Sequence, residues 1–247
     1  MHVEADGLVL KEQPIGETDR LITILTGRYG LVRAFVRNAK TVKSRLLAGT
    51  QLLSYSDFVL YKGKNSYSVD SAQVKEVFFP LRSDIENLST AFYLAELFSE
   101  LAPENAESEA LLKLLLNSLY LLSEKKADRR IVKSVAELRA LSDSGYAPDL
   151  VACCECGSFE TEKMYFNPES AALFCSNCGG PEKGREISIS TVTAMRYIIY
   201  SEPKRIFSFS LKEGALRELS SVTEEFALLQ TGKRYKTLEF LKSLTGY

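Results

Sequence analysis

The chain of 247 residues has no tryptophan, a single histidine at position 2, and no cysteine outside residues 153–178. One imidazole beside an N-terminus expected to fray argues against a Ser–His–Asp triad, a His-based metal centre and most imidazole acid–base chemistry. No apolar run approaches the ~18–20 residues that a bilayer requires. Met1-His2-Val3-Glu4-Ala5-Asp6 lacks the basic, then apolar pattern of a secretory leader. The expectation is a cytosolic protein without a membrane partner. No phosphate-cradling glycine loop or Walker sequence is present, and Glu17 and Asp19, beside Arg20, are the nearest approach to paired carboxylates. An enzyme is not expected.

A further absence is local. From Arg20 to Ser56, 37 residues carry seven basic side chains and no acidic one. The net charge of −1 hides this, because residues 1–80 hold eleven basic against eight acidic groups, and the remainder holds 20 against 24. The first part is thus +3 and the rest −4. Such a stretch suggests a polyanion partner. The alternative is a solvated basic face with no ligand.

What is present divides the chain near Pro80. Before it, β-branched and apolar runs lie at Gly7–Leu10, Leu21–Thr26, Leu31–Arg37, Gln51–Tyr61 and Ser66–Phe79. Gly27-Arg28-Tyr29-Gly30 and Gly63-Lys64-Asn65 form short connections. Five short strands in about 80 residues suit a small curved barrel, and an OB-fold is the natural candidate. After Pro80 the period becomes helical. Ser83-Asp84-Ile85-Glu86 reads as a capping box opening a helix that runs towards Pro103. A Leu-rich helix is expected from about Ser108 to Leu122, apolar on more than one stripe and so core. A third starts at Asp128 and ends at Gly145, and others lie near 190–201, 213–229 and 235–244. The expected class is α+β: an N-terminal β-barrel over 1–80, then an all-α domain over 81–247 with an inserted four-Cys module at about 150–182.

Cys153, Cys156, Cys175 and Cys178 have the spacing C-x2-C-x18-C-x2-C, which fits a four-thiolate zinc site. Each C-x2-C turn brings two thiolates to one ion, and two such knuckles close a tetrahedron. Gly157 and Gly179-Gly180 allow the sharp turns after such ligands. Four protein ligands leave no open position, so one structural Zn2+ is expected. Free buried cysteines or a redox pair are the alternatives. Cys154 is the spare thiol, or a register alternative to Cys153 with poorer spacing.

If Leu31–Arg37 is a strand, Leu31, Arg33, Phe35 and Arg37 share one face, and Val32, Ala34 and Val36 share the other. An aromatic ring between two guanidinium groups can stack a base and neutralise phosphates. Arg28 and Tyr29 repeat the pairing in the hairpin. Arg20, Arg28, Arg33, Arg37, Lys40, Lys43 and Arg45 are the candidate phosphate contacts, with Tyr29 and Phe35 as stacking candidates. The bland alternative is that the rings cover a barrel end and the arginines pair with acids of the same chain.

Gly16-Glu17-Thr18-Asp19-Arg20 precedes a hydrophobic strand, Leu25-Thr26 and Gly30 close the hairpin, and Lys43-Ser44-Arg45-Leu46 follows. With the order head, helices, four-cysteine module, helices, the chain resembles the bacterial recombination mediators of the RecO family over nearly its full length. Two departures are visible: Glu169-Ser170-Ala171-Ala172 stands where members with the metal site often carry Gly-Gly, and the region of Lys233-Arg234-Tyr235-Lys236 is less basic than in many members. The resemblance implies an OB-fold that binds single- and double-stranded DNA, and a helical domain that carries zinc. It implies strand annealing and, with RecR and in some settings RecF, help to RecA in replacing single-stranded-DNA-binding protein during DNA repair. It also implies a groove in the helical body for that protein's tail, and a cytoplasmic, nucleoid-associated location. The rival reading is a zinc-ribbon protein–protein adaptor with incidental nucleic-acid contact.

Overall fold

In the computed structural model, which describes residues 1–39, 44–64 and 66–245, five strands lie near the N-terminus, and the third and fourth alternate buried with more exposed side chains. The five are β1 (His2–Ile15), β2 (Asp19–Thr26), β3 (Gly30–Val36), β4 (Ser54–Lys62) and β5 (Tyr67–Val77). They close into a barrel of order β1-β2-β3-β5-β4, all neighbours antiparallel except β3 and β5. This is the OB-fold arrangement. β1 is long enough to pair with both β2 and β4, and its register shifts between Val9 and Lys11, where the barrel bends. Val9, Ile22, Ile24, Val32, Ala34, Val36, Phe58 and Leu60 fill the interior.

His2 is not frayed. It opens β1 opposite Tyr61, ring edge to ring face at 5.4 Å, with its Nε2 2.5 Å from Asp70. β4 starts three residues later than expected because residues 45–53 are turns, in which Leu53 is left-handed (φ 63) and its N–H donates to the Val9 carbonyl.

The chain divides into two compact units: Met1–Glu124 with Tyr235–Tyr247, and Lys125–Arg234. Pro80 marks the change from strand to helix, inside a 3-10 turn at Phe79–Ser83. The first unit adds α1 (Ile85–Leu101), α2 (Glu109–Ser123) and, from the far end of the chain, a C-terminal helix. Asp84, not Ser83, caps α1: its carboxylate accepts from the Asn87 N–H at 3.1 Å, while the Ser83 hydroxyl donates to the Pro80 carbonyl. The expected capping box is one residue out of register. In α2, Leu111, Leu112, Leu114, Leu115, Leu119 and Leu122 are all buried, the core role expected of them.

In the second unit, α3 (Arg129–Leu141), α4 (Ile189–Tyr200) and α5 (Glu213–Thr231) pack together. Asp128 caps α3 as expected, but the helix gives way to a wider turn at Ser142–Tyr146 before Gly145 reverses it at φ 94. Lys133 is buried with Glu137 at 2.8 Å and Glu224 at 3.0 Å, and the Thr223 hydroxyl donates to Glu137. The last helix, α6 (Lys236–Thr245), belongs to the first unit and packs on α1, where Tyr93 and Tyr235 meet edge to face. Three short strands that sequence periodicity does not reveal, β6 (Met164–Asn167), β7 (Ala172–Cys175) and β8 (Arg185–Ile187), form a sheet of order β7-β6-β8 in the second unit. Phe166 of that sheet rests on Phe226 of α5.

Candidate nucleic-acid interface and metal centre

The alternation in β3 falls as the sequence reading expects. Val32, Ala34 and Val36 point into the barrel, and Arg33, Phe35 and Arg37 are exposed. On neighbouring β2, Leu21 pairs with Phe35 and Thr23 with Arg33. Because β3 runs beside the start of β5, Ala34 opposes Tyr67 and Phe35 opposes Ser68. That pairing brings the β4–β5 hairpin alongside the exposed face of β3. The result is a groove of about 550 Å³ lined by Leu21, Leu31, Arg33, Phe35, Lys62, Lys64 and Tyr67, with Glu104 and Asn105 at its edge.

The groove combines rings and cations. Phe35 is 39% exposed. Tyr67 is half-buried, with the Lys62 ammonium 5.6 Å from its ring centre. Arg33 reaches Glu104 at 3.4 Å, and both side chains remain largely in solvent. The long strand-facing surface of an OB barrel with its β4–β5 loop is the usual seat of an oligonucleotide. Lys62, Lys64 and Tyr67 were not among the residues singled out from sequence. The signal that would have found them is the parallel pairing of β3 with β5.

The other residues of the basic run are distributed differently. Arg20 is bound to Glu12 at 3.0 Å and its side chain is 18% exposed. Tyr29 packs onto the barrel core with Arg28 5.5 Å from its ring centre. Arg28 lines a separate depression with Glu4, Asp6 and Asp57. Arg37 extends the line of β3 beyond its last residue, and Arg45 is exposed in the following turns. Lys40 and Lys43 lie outside the described residues.

In the second unit the four cysteines converge. The sulfurs of Cys153, Cys156, Cys175 and Cys178 all lie within 4.8 Å of one another. Cys175 ends β7, and the N–H of Cys154 donates to the Leu173 carbonyl, which fastens the first knuckle to the sheet. Gly157 completes that knuckle at φ 73, donating its N–H to the Cys153 carbonyl. Gly179 serves differently: it is not left-handed, but a Cβ there would lie 2.6 Å from that of Phe174.

The donor set suits a soft cation. Burial opposes the Cys153 thiolate, yet N–H groups of Cys156, Cys175 and Glu155 outweigh it and pull its pKa down. The Ser158 hydroxyl and N–H bring Cys156 to about 6. Cys178 is driven far the other way, first by its contacts with the Cys156 and Cys175 sulfurs. Four thiols this close thus retain a proton unless a cation replaces it. Cys154 is exposed and its thiol is pushed up, first by desolvation and then by the Cys153 charge. It stands outside the cluster, as its spacing suggests.

No helix among the described residues is long and apolar enough to cross a membrane. Residues 1–78 match the family pattern described as recombination protein O N terminal, and residues 82–239 match recombination protein O C terminal. A "DNA repair protein RecO" of Acetivibrio thermocellus is 39% identical over 244 residues, which is 98% of this chain and 97% of that protein. Proteins of the same name from Alkaliphilus metalliredigens and Caldicellulosiruptor saccharolyticus are each 30% identical, over 99% and 97% of this chain and 100% and 98% of theirs. The chain belongs to the RecO family of DNA repair proteins.

Proposed function

We propose that this protein is a non-enzymatic DNA-binding recombination mediator. The groove binds single-stranded DNA, with Arg33, Arg37, Lys62 and Lys64 on phosphates and Phe35 and Tyr67 against bases. The observation that carries this is the meeting of two rings and three cations in one groove on the OB barrel. Stacking of a base on an aromatic ring contributes ~1–3 kcal/mol and tolerates any sequence. A strand held by its backbone on an open face can still exchange partners, which suits annealing. Double-stranded DNA, RecR, RecF, RecA and single-stranded-DNA-binding protein are the further partners proposed from family membership. The thiolate cluster holds one structural zinc through Cys153, Cys156, Cys175 and Cys178, with no position left for chemistry.

The test is anisotropy with a labelled oligothymidylate. Arg33→Ala with Lys62→Ala should weaken binding at least about tenfold, at the ~1.4 kcal/mol per decade that two lost phosphate contacts supply. Lys204→Ala, on an exposed turn of the second unit, should not. Equal affinity of all three proteins, with annealing intact, would favour an adaptor role instead.

A further inference from the structure

The groove contains one acidic side chain among its cations, and the backbone fixes its position. Glu104 belongs to the connection between α1 and α2. That connection is tied at both ends to the β2–β3 hairpin: the Leu31 N–H donates to the Pro103 carbonyl at 2.9 Å, and the Ser108 N–H to the Gly27 carbonyl at 2.7 Å. Glu104 itself bridges to Gly30 and Leu31. Gly30 makes the approach possible, since a Cβ there would lie 2.0 Å from the Pro103 oxygen. Asn105 takes a left-handed turn (φ 59) directly after it. The carboxylate is therefore held at the groove edge, 3.4 Å from Arg33.

We infer that Glu104 is a built-in competitor for phosphate at Arg33. A strand entering the groove must exchange the Glu104–Arg33 pair for a phosphate–Arg33 pair, and the freed carboxylate, already 57% exposed, returns to solvent. The exchange lowers affinity, and it also lowers salt sensitivity, because a cation gathers at the freed carboxylate as others leave the DNA. Bound strands stay exchangeable as a result. This inference rests on the groove being the DNA site.

The experiment measures oligothymidylate affinity over a salt series for the full chain and five variants: Glu104→Gln, Glu107→Gln, Arg33→Ala, and each glutamate change combined with Arg33→Ala. Glu104→Gln should bind about 2- to 5-fold tighter at low salt, the range of exposed ion pairs. Its log K against log salt slope should be steeper by up to about 0.7. Glu107→Gln carries the same charge change outside the groove lining and should match wild type. In the Arg33→Ala background, Glu104→Gln should change nothing. A gain that persists without Arg33, or an equal gain from Glu107→Gln, would mean general repulsion and overturn the competition. If Arg33→Ala weakens binding but Glu104→Gln equals wild type, the inference alone fails. If Arg33→Ala itself binds as wild type does, the groove reading fails with it.

Discussion

Gly30→Ala should be among the most damaging single-methyl additions in the barrel. Gly30 lies at φ 63, where an L side chain costs ~1–2 kcal/mol. A Cβ would also sit 2.0 Å from the Pro103 carbonyl oxygen and 2.8 Å from that of Ala106, both backbone atoms. Restoring ordinary separation of about 3.5 Å moves the 103–106 segment outward and breaks the Leu31–Pro103 hydrogen bond at 2.9 Å. Losing a buried backbone bond costs ~1–3 kcal/mol, and the displaced packing adds a similar amount. The expected total is about 3–8 kcal/mol. Gly16→Ala is the internal control: φ is 55 there, but nothing lies within 4 Å of the added carbon, so only the backbone cost of ~1–2 kcal/mol applies. Urea titration of both variants reads the difference, with the Gly30→Ala midpoint falling about 1–3 M below that of Gly16→Ala at an m-value of ~2 kcal/mol/M. Equal midpoints would refute the steric reasoning. They would also remove the argument that Gly30 fixes Glu104 in place.

Cys175→Ser should abolish binding of one zinc per chain by elemental analysis and lower stability, whereas Cys154→Ser should do neither; zinc retained by Cys175→Ser would contradict the four-thiolate site. Ala171 is left-handed at φ 54 in the turn between β6 and β7, so Ala171→Gly should stabilise by about 0.5–1 kcal/mol in thermal unfolding. Lys133→Ala leaves buried Glu137 and half-buried Glu224 without that ammonium and should cost about 3–5 kcal/mol by denaturant titration. The Glu213 carboxyl is held down to about 2 by Arg130 and then Arg217, from an ordinary value of 4.5. Its contribution is therefore complete above about pH 4.5 and is lost as pH falls towards 2. Arg130→Gln should return its carboxyl titration, followed by NMR, towards the ordinary value.

Much of the architecture was readable because local chemistry decided it. The 2-residue alternation of Val32, Ala34 and Val36 set the inner face of β3, Asp128 marked the start of α3, and paired C-x2-C knuckles predicted that four sulfurs would meet. What stayed hidden depends on pairings distant in sequence. Lys62, Lys64 and Tyr67 looked like ordinary hairpin residues until β5 was seen to lie beside β3. Arg20 and Arg28 counted towards a basic run, yet Arg20 pairs with Glu12 across the β1–β2 hairpin and Arg28 shares its depression with Glu4, Asp6 and Asp57. Strands β6 to β8 are three or four residues long, too short to show a period. The C-terminal helix joins the first unit through the Tyr93–Tyr235 contact, which no local pattern announces.

The most direct test of the groove as the DNA interface is the salt dependence of single-strand binding in wild type and in the Arg33→Ala, Lys62→Ala, Lys64→Ala triple variant. With Arg33, Arg37, Lys62 and Lys64 on phosphates at ~0.7 per contact, and up to ~0.7 offset at Glu104, wild type should have a log–log slope of about −2 to −3 and lose roughly 20- to 50-fold in affinity from 50 to 200 mM salt. The triple variant should flatten to a slope of about −0.7. An unchanged slope in that variant would place the phosphates elsewhere and contradict the account.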